Sequence, residues 1–196
     1  LTNGAEMQAP QIPGTLPAAD IKRLKLDAFD RSNDLKPLSV VTGDIIAKNA
    51  YEWSKATESP LAQAAVRGAE KITVRPLLGH SGKAVKLPKG ASLSYDFYCD
   101  KSGDARFTIA AIPCFLNAVK DMRVSVSIDR GEPVICQLKE VYNSKNWQFD
   151  LWRGQTLKSF YVTLPGGSHN VTIKALDDNV MIDQWVLDYD VDREYY

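Results

Sequence analysis

From residue 70 onward, apolar and polar residues alternate along the chain in short runs. Leu93, Tyr95 and Phe97 alternate with polar residues, and residues 124–128 repeat the pattern with valine and isoleucine between serines. A period of two places neighbouring side chains on opposite faces of a strand, so each run predicts a half-buried β-strand. Gly, Pro, Asp and Asn stand between the runs, and residues 129–132 (Asp-Arg-Gly-Glu) predict a hairpin turn.

The number and spacing of these runs predict the fold class. About eight or nine short strands joined by turns are typical of an all-β antiparallel sandwich of the jelly-roll or galactose-binding-like kind. A parallel sheet would show continuous apolar runs instead of alternation. The runs lie near residues 72–74, 84–87, 93–97, 107–111, 124–128, 134–138, 160–162, 171–175 and 180–189.

The last run changes phase halfway along. Val180 and Ile182 fall on one face of an ideal strand, whereas Trp185 and Leu187 fall on the other. Because a one-residue slip moves every following side chain to the opposite face, the run predicts a β-bulge near Asp183-Gln184.

The first 70 residues have a different pattern. Residues 1–20 contain Pro10, Pro13 and Pro17 and predict an extended leader or linker, since proline disrupts both helices and ladders. The remaining residues, 21–196, are predicted to form one sandwich domain with an insertion over about 30–69 and a core over about 70–190. A first short strand is predicted at Leu24, Leu26 and Ala28.

The insertion is predicted to contain a short helix near the N-terminus. Ile45, Ile46, Asn49, Ala50 and Trp53 recur at helical spacing, and the step at residues 59–60 (Ser-Pro) is expected to end that helix. Residues 61–66 can add one helical turn, and Tyr51, Glu52 and Trp53 are expected to pack the helix against the core.

Composition argues against two classes of protein, nucleic-acid binders and integral membrane proteins. The chain has 196 residues, 24 Lys plus Arg against 24 Asp plus Glu, and a formal net charge of zero. A nucleic-acid partner would favour a basic excess, and a membrane span would need an apolar run of about 20 residues. Neither feature is present in the sequence.

Three cysteines, Cys99, Cys114 and Cys136, lack the clustered spacing of a zinc site. Cys99 and Cys136 end alternating runs and are predicted to be buried as small apolar residues, with any disulfide pairing left open. The chain begins at Leu1 rather than methionine, which predicts either removal of a signal peptide or a longer precursor.

Aromatic residues concentrate in the connection over residues 139–157, which has low regularity. Sugars present C–H faces that pack on aromatic rings, while their hydroxyl groups bond to amides and charged side chains, so we predict a glycan contact here. The alternative is that Trp147 and Trp152 close one end of the sandwich. The predicted contact residues are Tyr142, Asn146, Trp147, Phe149, Trp152 and Arg153.

Catalytic and metal-binding alternatives rest on weaker patterns. Glycoside hydrolysis needs two carboxyl groups at set separations across a cleft. A catalytic pair of carboxyl groups near Asp183 is therefore the alternative to a non-catalytic role. Residues 177–179 (Asp-Asp-Asn) supply oxygen ligands for a structural calcium ion, although the spacing matches no known calcium loop, so no cofactor is predicted. His80 and His169 both fall in predicted turns, and neither has a Ser or Cys in a recognised nucleophile motif beside it.

Five segments within residues 72–189 carry recognisable motifs: PLLGHSGKAV (76–85), LSYDFY (93–98), VSVSID (124–129) before Glu132-Pro133, LPGGSHNVTIK (164–174) after Trp147, and VMIDQWVLD (180–188). In this order they resemble the C-terminal domain of glycoside hydrolase family 115, the xylan α-1,2-glucuronidases. A match to the family's opening acidic strand is weaker and lies at residues 24–29.

The resemblance implies a non-catalytic β-sandwich, with the catalytic machinery in another part of such enzymes. It implies a role in xylan-type polysaccharide processing, in a secreted, periplasmic or cell-surface location. The expected partners are a polysaccharide or oligosaccharide, a catalytic glycoside hydrolase domain, or a second copy of the chain. A small stand-alone hydrolase and a purely structural dimerisation module are the alternatives.

Overall fold

Two antiparallel sheets pack face to face in the computed structural model, which describes residues 44–114 and 121–193. The predicted all-β sandwich is therefore confirmed. The strands are β1 (Ile45–Asn49), β2 (Lys55–Thr57), β3 (Thr73–Pro76), β4 (Lys83–Leu87), β5 (Ser92–Cys99), β6 (Gly103–Ala111), β7 (Arg123–Ile128), β8 (Val134–Gln137), β9 (Thr156–Leu164), β10 (Gly167–Ala175) and β11 (Val180–Asp188), and the helices are α1 (Pro60–Gln63) and α2 (Lys145–Arg153).

The first sheet is organised around β11. Along one edge β11 pairs with β6, which in turn pairs with β9. Along the other edge, β4 pairs with the first half of β11 and β1 with the second half, while β3 extends the sheet beyond β4. The second sheet has the order β2-β5-β10-β7-β8.

The core lies between the sheets and follows the alternation of the sequence. Leu93, Tyr95 and Phe97 of β5 are all buried. Trp185 of β11 is fully buried and stacks on Phe107 of the same sheet, with 5.4 Å between the ring centroids and 19° between the planes. Its edge contacts with Tyr95 and Phe97 reach across to the second sheet, so Trp185 links the two layers.

The predicted β-bulge is present in β11. Ile182 pairs with Ala111 of β6, but Gln184 pairs with Ala110, so Asp183 is the additional residue. The bulge brings Ile182 and Trp185 to the same buried face despite their odd separation.

The predicted hairpin turn at residues 129–132 is also confirmed. β7 and β8 pair antiparallel on either side of it. Asp129 and Arg130 have φ values of 51° and 61°, the left-handed conformation that the tightest hairpin turns require at both central positions.

The helix predicted over Ile45 to Trp53 is wrong, because residues 45–49 form β1. Pairing with β11 satisfies the backbone groups of this segment and outweighs its helical spacing. Tyr51 and Trp53 do pack against the core, but from the loop after β1. The leader at 1–20 and the predicted strand at residues 24–28 lie outside the described residues.

The Ser59-Pro60 step begins a helix rather than ending one. The hydroxyl of Ser59 accepts a hydrogen bond from the Ala62 N–H at 3.3 Å, and Pro60 occupies the first turn, where no amide hydrogen is needed. The additional helical turn predicted for residues 61–66 therefore corresponds to α1. β1 and β2 also join the sheets, so strand pairing begins before residue 70. The domain limits at residues 21 and 196 stay a prediction.

All three cysteines are free thiols, and Cys99 and Cys136 are buried as predicted. Within the described ranges, no helix has the length and apolar character needed to span a bilayer.

Candidate functional site

The segment predicted to be an irregular aromatic loop contains a capped helix. Ser144 accepts a hydrogen bond from the Trp147 N–H at 3.1 Å and starts α2. Gly154, with φ of 69°, ends α2 in the left-handed conformation, and its N–H donates to the Asp150 carbonyl. The expectation of low regularity is therefore wrong for residues 145–153, because a capping residue stands at each end of this helix.

The helix exposes most of the predicted contact residues. Tyr142 is 70% exposed, Phe149 52% and Trp152 76%, and Asn146 is also exposed. Two ring pairs meet edge to face: Tyr142 with Trp147 at 5.0 Å, and Phe149 with Trp152 at 5.9 Å. We call α2 together with Tyr142 the aromatic helix.

The exposure of Trp152 is incompatible with its closing one end of the sandwich. Trp147 and Arg153, by contrast, are half-buried. The alternative that both tryptophans serve the core is therefore wrong for Trp152.

A buried carboxyl group attaches the inner face of the aromatic helix to β9. Asp150 is the buried residue of α2. Its Oδ2 accepts a hydrogen bond from the Thr156 hydroxyl at 2.7 Å, and burial raises the pKa of this carboxyl group.

The bulge residue Asp183 also attaches the C-terminal end of the aromatic helix. Its carboxylate is fully buried and accepts hydrogen bonds from the backbone N–H groups of His80 at 2.7 Å and Ser81 at 3.2 Å. The Ser81 hydroxyl and the Gln155 side-chain amide, at 2.7 Å, also donate to it. We call this arrangement the Asp183 cradle.

The cradle connects the aromatic helix with the β3–β4 hairpin. Gly79 has φ of 75°, and a Cβ atom at this position would lie 2.3 Å from Asp183 Oδ1, so the hairpin approaches closely only because residue 79 is glycine. On the helix side, His80 Nε2 lies 2.9 Å from the Arg153 carbonyl oxygen. Residues 76–85 and 180–188, both quoted for the family resemblance, therefore meet at the cradle.

The acidic residues of β11 do not form an accessible pair. Asp183 and Asp188 are both fully buried, and Asp188 forms an ion pair with Arg193 at 3.1 Å. A carboxyl group without exposed surface cannot reach a glycosidic bond, so the geometry does not support a catalytic pair that includes Asp183.

Asp177, one of the residues considered as an oxygen ligand for calcium, is engaged in an ion pair instead. Asp177 is held by Arg123, whose Nε lies 2.8 Å from Asp177 Oδ2. In the part of the chain that the structure describes, no group of three or more His, Cys, Asp or Glu side chains is placed to hold a metal ion.

His169 forms a charged pair that the sequence did not indicate. Its Nδ1 lies 2.6 Å from Asp129 Oδ2, and its Nε2 lies 2.9 Å from the Pro165 carbonyl oxygen. Burial acts to lower the pKa of His169, but these two acceptors and the charge of Asp129 outweigh burial and raise it above 6.5. Both ring nitrogens face acceptors, so the protonated ring is the form that the site satisfies completely.

This pair is expected to make stability depend on pH. Because the folded pKa of His169 is raised, its contribution is complete below 6.5 and is lost as pH rises through the folded value. Urea unfolding of the wild type and His169→Gln should therefore show a larger difference in unfolding free energy at about pH 5.5 than at about pH 8.5.

Asp129→Asn is the matched control, because it removes the negative charge that faces His169. In the Asp129→Asn background, the effect of His169→Gln on the unfolding free energy should no longer depend on pH. Asp129 has a lowered pKa, since its hydrogen bonds and the charge of His169 outweigh its burial, so its own contribution is lost only below pH 3.8. A difference between wild type and His169→Gln that is the same at both pH values would contradict the assignment.

Comparison with known proteins identifies a matching family and similar solved structures. The model of the Glycosyl hydrolase family 115 C-terminal domain matches residues 42–196. A family GH115 4-O-methyl-α-glucuronidase, BtGH115A, described as having specificity for decorated arabinogalactans, is similar at 26% identity and a TM-score of 0.63. The match covers 77% of this chain and 18% of that one, so this chain spans less than a fifth of that enzyme. A search of the curated proteins returned no match.

Isolated carbohydrate-binding modules share the fold. The family 35 module from Clostridium thermocellum matches at 14% identity and a TM-score of 0.50, over 73% of this chain and 98% of that one. The CBM6cm-2 module of Cellvibrio mixtus lichenase 5A, in complex with cellotriose, matches at 16% identity and a TM-score of 0.51, over 74% and 97%. At these identities the similarity shows the architecture alone.

Proposed function

The chain belongs to the family of glycosyl hydrolase family 115 C-terminal domains, and from that membership we propose that it is a non-catalytic accessory module that contacts xylan-type polysaccharide. The observation that carries the proposal is the exposed pair of rings, Phe149 and Trp152, on a helix that is fixed at both ends. Such a module works where polysaccharides are degraded, in the secreted or periplasmic space or at the cell surface.

The physical argument rests on the rigidity of the rings. Aromatic side chains provide a large contact area with few rotatable bonds, so little entropy is lost when a sugar packs on them. The caps of α2 and the Asp183 cradle hold the backbone of the helix before any ligand arrives. Asn146 and Arg153 supply polar groups beside the rings for sugar hydroxyl groups.

Trp152→Ala is expected to weaken binding to glucuronoxylan by about tenfold, because it removes the most exposed ring of the helix. Affinity gel electrophoresis in glucuronoxylan measures the change, and Trp147→Ala should show a smaller loss, since Trp147 is half-buried. Leu151→Ala is the matched control, because Leu151 is exposed on the same helix but offers no ring. An unchanged affinity for Trp152→Ala would show that the aromatic helix does not contact the glycan.

Docking of a protein surface is the second candidate function. Val141 and Leu151, which are aliphatic, are exposed beside the rings, at 77% and 48%. A docking surface also uses aliphatic area, so Leu151→Ala should then weaken association measurably, whereas it should leave glycan binding unchanged. Sedimentation of the wild type and both variants tests docking of a second copy, and co-sedimentation with a family 115 catalytic domain tests the other partner.

A further inference from the structure

The outer face of the second sheet presents polar side chains in register across β5 and β10. The alternation that buries Leu93, Tyr95 and Phe97 turns the intervening residues outward. Cross-strand partners on this face are Ser94 with Thr172, Asp96 with Asn170, and Tyr98 with Ser168.

A groove of about 560 Å³ lies at one end of this face. Asp96, Tyr98, Ser168 and Asn170 line it, and Asp129 of the β7–β8 turn closes one side. The groove is shallow and open to solvent, a shape that fits one face of a sugar ring. The groove lies on the second sheet, whereas the aromatic helix leads into β9 of the first sheet.

Tyr98 provides an apolar platform in an otherwise polar groove. It is 62% exposed, and its cross-strand partner is the small residue Ser168, which leaves the ring uncovered. A tyrosine offers an apolar ring face together with a polar hydroxyl group, which matches a sugar ring that has C–H groups on its face and hydroxyl groups at its edge.

The polar groups beside Tyr98 are already connected by hydrogen bonds. The Asn170 side-chain amide donates to Asp96 Oδ1 at 2.8 Å, and the Thr172 hydroxyl donates to Asn170 Oδ1 at 3.2 Å. Ser94 Oγ lies 2.8 Å from Thr172 Oγ1. Since the side chains hold one another in place, little rotamer entropy remains to be lost on binding.

The charges in the groove define the ligand class. The hydrogen bond from Asn170, and a second from Ser54, keep the pKa of Asp96 below its usual value, so its carboxylate is an ionised acceptor. Asp129 is paired with His169, and Lys48 of β1 is the cation that acts on Asp96. A carboxylate acceptor favours hydroxyl donors and repels the carboxylate of a uronic acid.

We propose that this groove binds a neutral saccharide, with the sugar ring on Tyr98 and its hydroxyl groups on Asp96 and Asn170. The groove is a second glycan site, separate from the aromatic helix, and it selects undecorated stretches of a polysaccharide chain. Two sites on one module raise the apparent affinity for a long chain that reaches both.

Titration calorimetry with neutral xylohexaose, and with a glucuronic acid-substituted xylo-oligosaccharide of similar length, tests the groove. We expect the wild type to bind the neutral ligand more tightly and Tyr98→Ala to lose about tenfold of that affinity. Tyr161→Ala is the matched control, because Tyr161 is a similarly exposed tyrosine on β9, outside the groove. The Tyr161→Ala variant should bind xylohexaose with wild-type affinity. Thermal unfolding of both variants shows that they are folded.

Asp96→Asn tests the basis of selectivity, because it removes the charge while retaining an oxygen that can accept from Asn170. Its preference for the neutral over the charged ligand should be several-fold smaller than that of the wild type. The same titrations are made in the Trp152→Ala background, which removes the most exposed ring of the aromatic helix and leaves the groove intact, so failure of the aromatic-helix site is distinguishable from failure of this one. In that background, no binding of xylohexaose, an unchanged affinity on adding Tyr98→Ala, or tighter binding of the charged ligand would each overturn the proposal.

Discussion

Asp183→Ala is expected to lower the free energy of unfolding by about 3–5 kcal/mol, because it leaves several hydrogen-bond donors without an acceptor, at about 1–3 kcal/mol for each buried group. The variant leaves four donors, from His80, Ser81 and Gln155, without the fully buried carboxylate that accepts from them. The β3–β4 hairpin and the end of the aromatic helix lose their common attachment. Urea unfolding followed by tryptophan fluorescence measures the change.

Two further variants make this expectation specific. Ser81→Ala removes one hydroxyl donor and should cost about 1 kcal/mol. Asp192→Ala, a carboxylate exposed to solvent near the end of the described chain, should remain within about 0.5 kcal/mol of the wild type. If Asp183→Ala unfolds at the same urea concentration as Asp192→Ala, the cradle does not stabilise the fold.

Trp185→Ala is expected to cost about 3–5 kcal/mol, the range for truncating a buried aromatic residue. Trp185 has no exposed surface and contacts Phe107, Tyr95 and Phe97, so truncation opens a cavity between the two sheets. Chemical unfolding followed by far-UV circular dichroism measures this change without relying on the deleted tryptophan.

Trp152→Ala is the matched control, because it deletes the same side chain from the surface. It should change stability by less than about 0.5 kcal/mol, which also shows that its effect on glycan binding is not caused by unfolding. A similar loss of stability in the two tryptophan variants would contradict the assignment of Trp185 to the core and Trp152 to the surface.

The sandwich was predictable because its alternation is local. Leu93, Tyr95 and Phe97 define the buried face of β5 by their spacing alone. The bulge at Asp183 was predictable for the same reason, since the phase change between Ile182 and Trp185 leaves one residue too many in the strand.

The helical spacing of residues 45–53 misled for a reason that lies elsewhere in the chain. β1 pairs with the half of β11 that β4 does not cover. The sequence of residues 45–53 does not show that this edge of β11 is available for pairing. The helix α2 was not predictable from periodicity, because Trp147, Phe149 and Leu151 alternate with polar residues at a spacing of two. Its capping residues, Ser144 and Gly154, were the available signal.

The candidate sites also differ in whether their residues are close together in the sequence. The sequence identified Tyr142, Phe149 and Trp152 as an aromatic cluster, and the structure exposes all three. It did not identify Tyr98 as exposed among polar neighbours, because those neighbours come from β10, about 70 residues away along the chain. Gly79 was an available signal for the cradle, since a glycine in a turn can permit a close approach of another chain segment.

The amino-acid sequence by itself determined the fold class, the inward faces of the strands and the bulge, because these follow from the alternation of residues within one segment. The tertiary structure alone decided the Asp183 cradle, the His169–Asp129 pair and the Tyr98 groove. Each of these joins side chains from strands distant in sequence, and their contact depends on sheet order and register, which the pattern within a single strand does not encode.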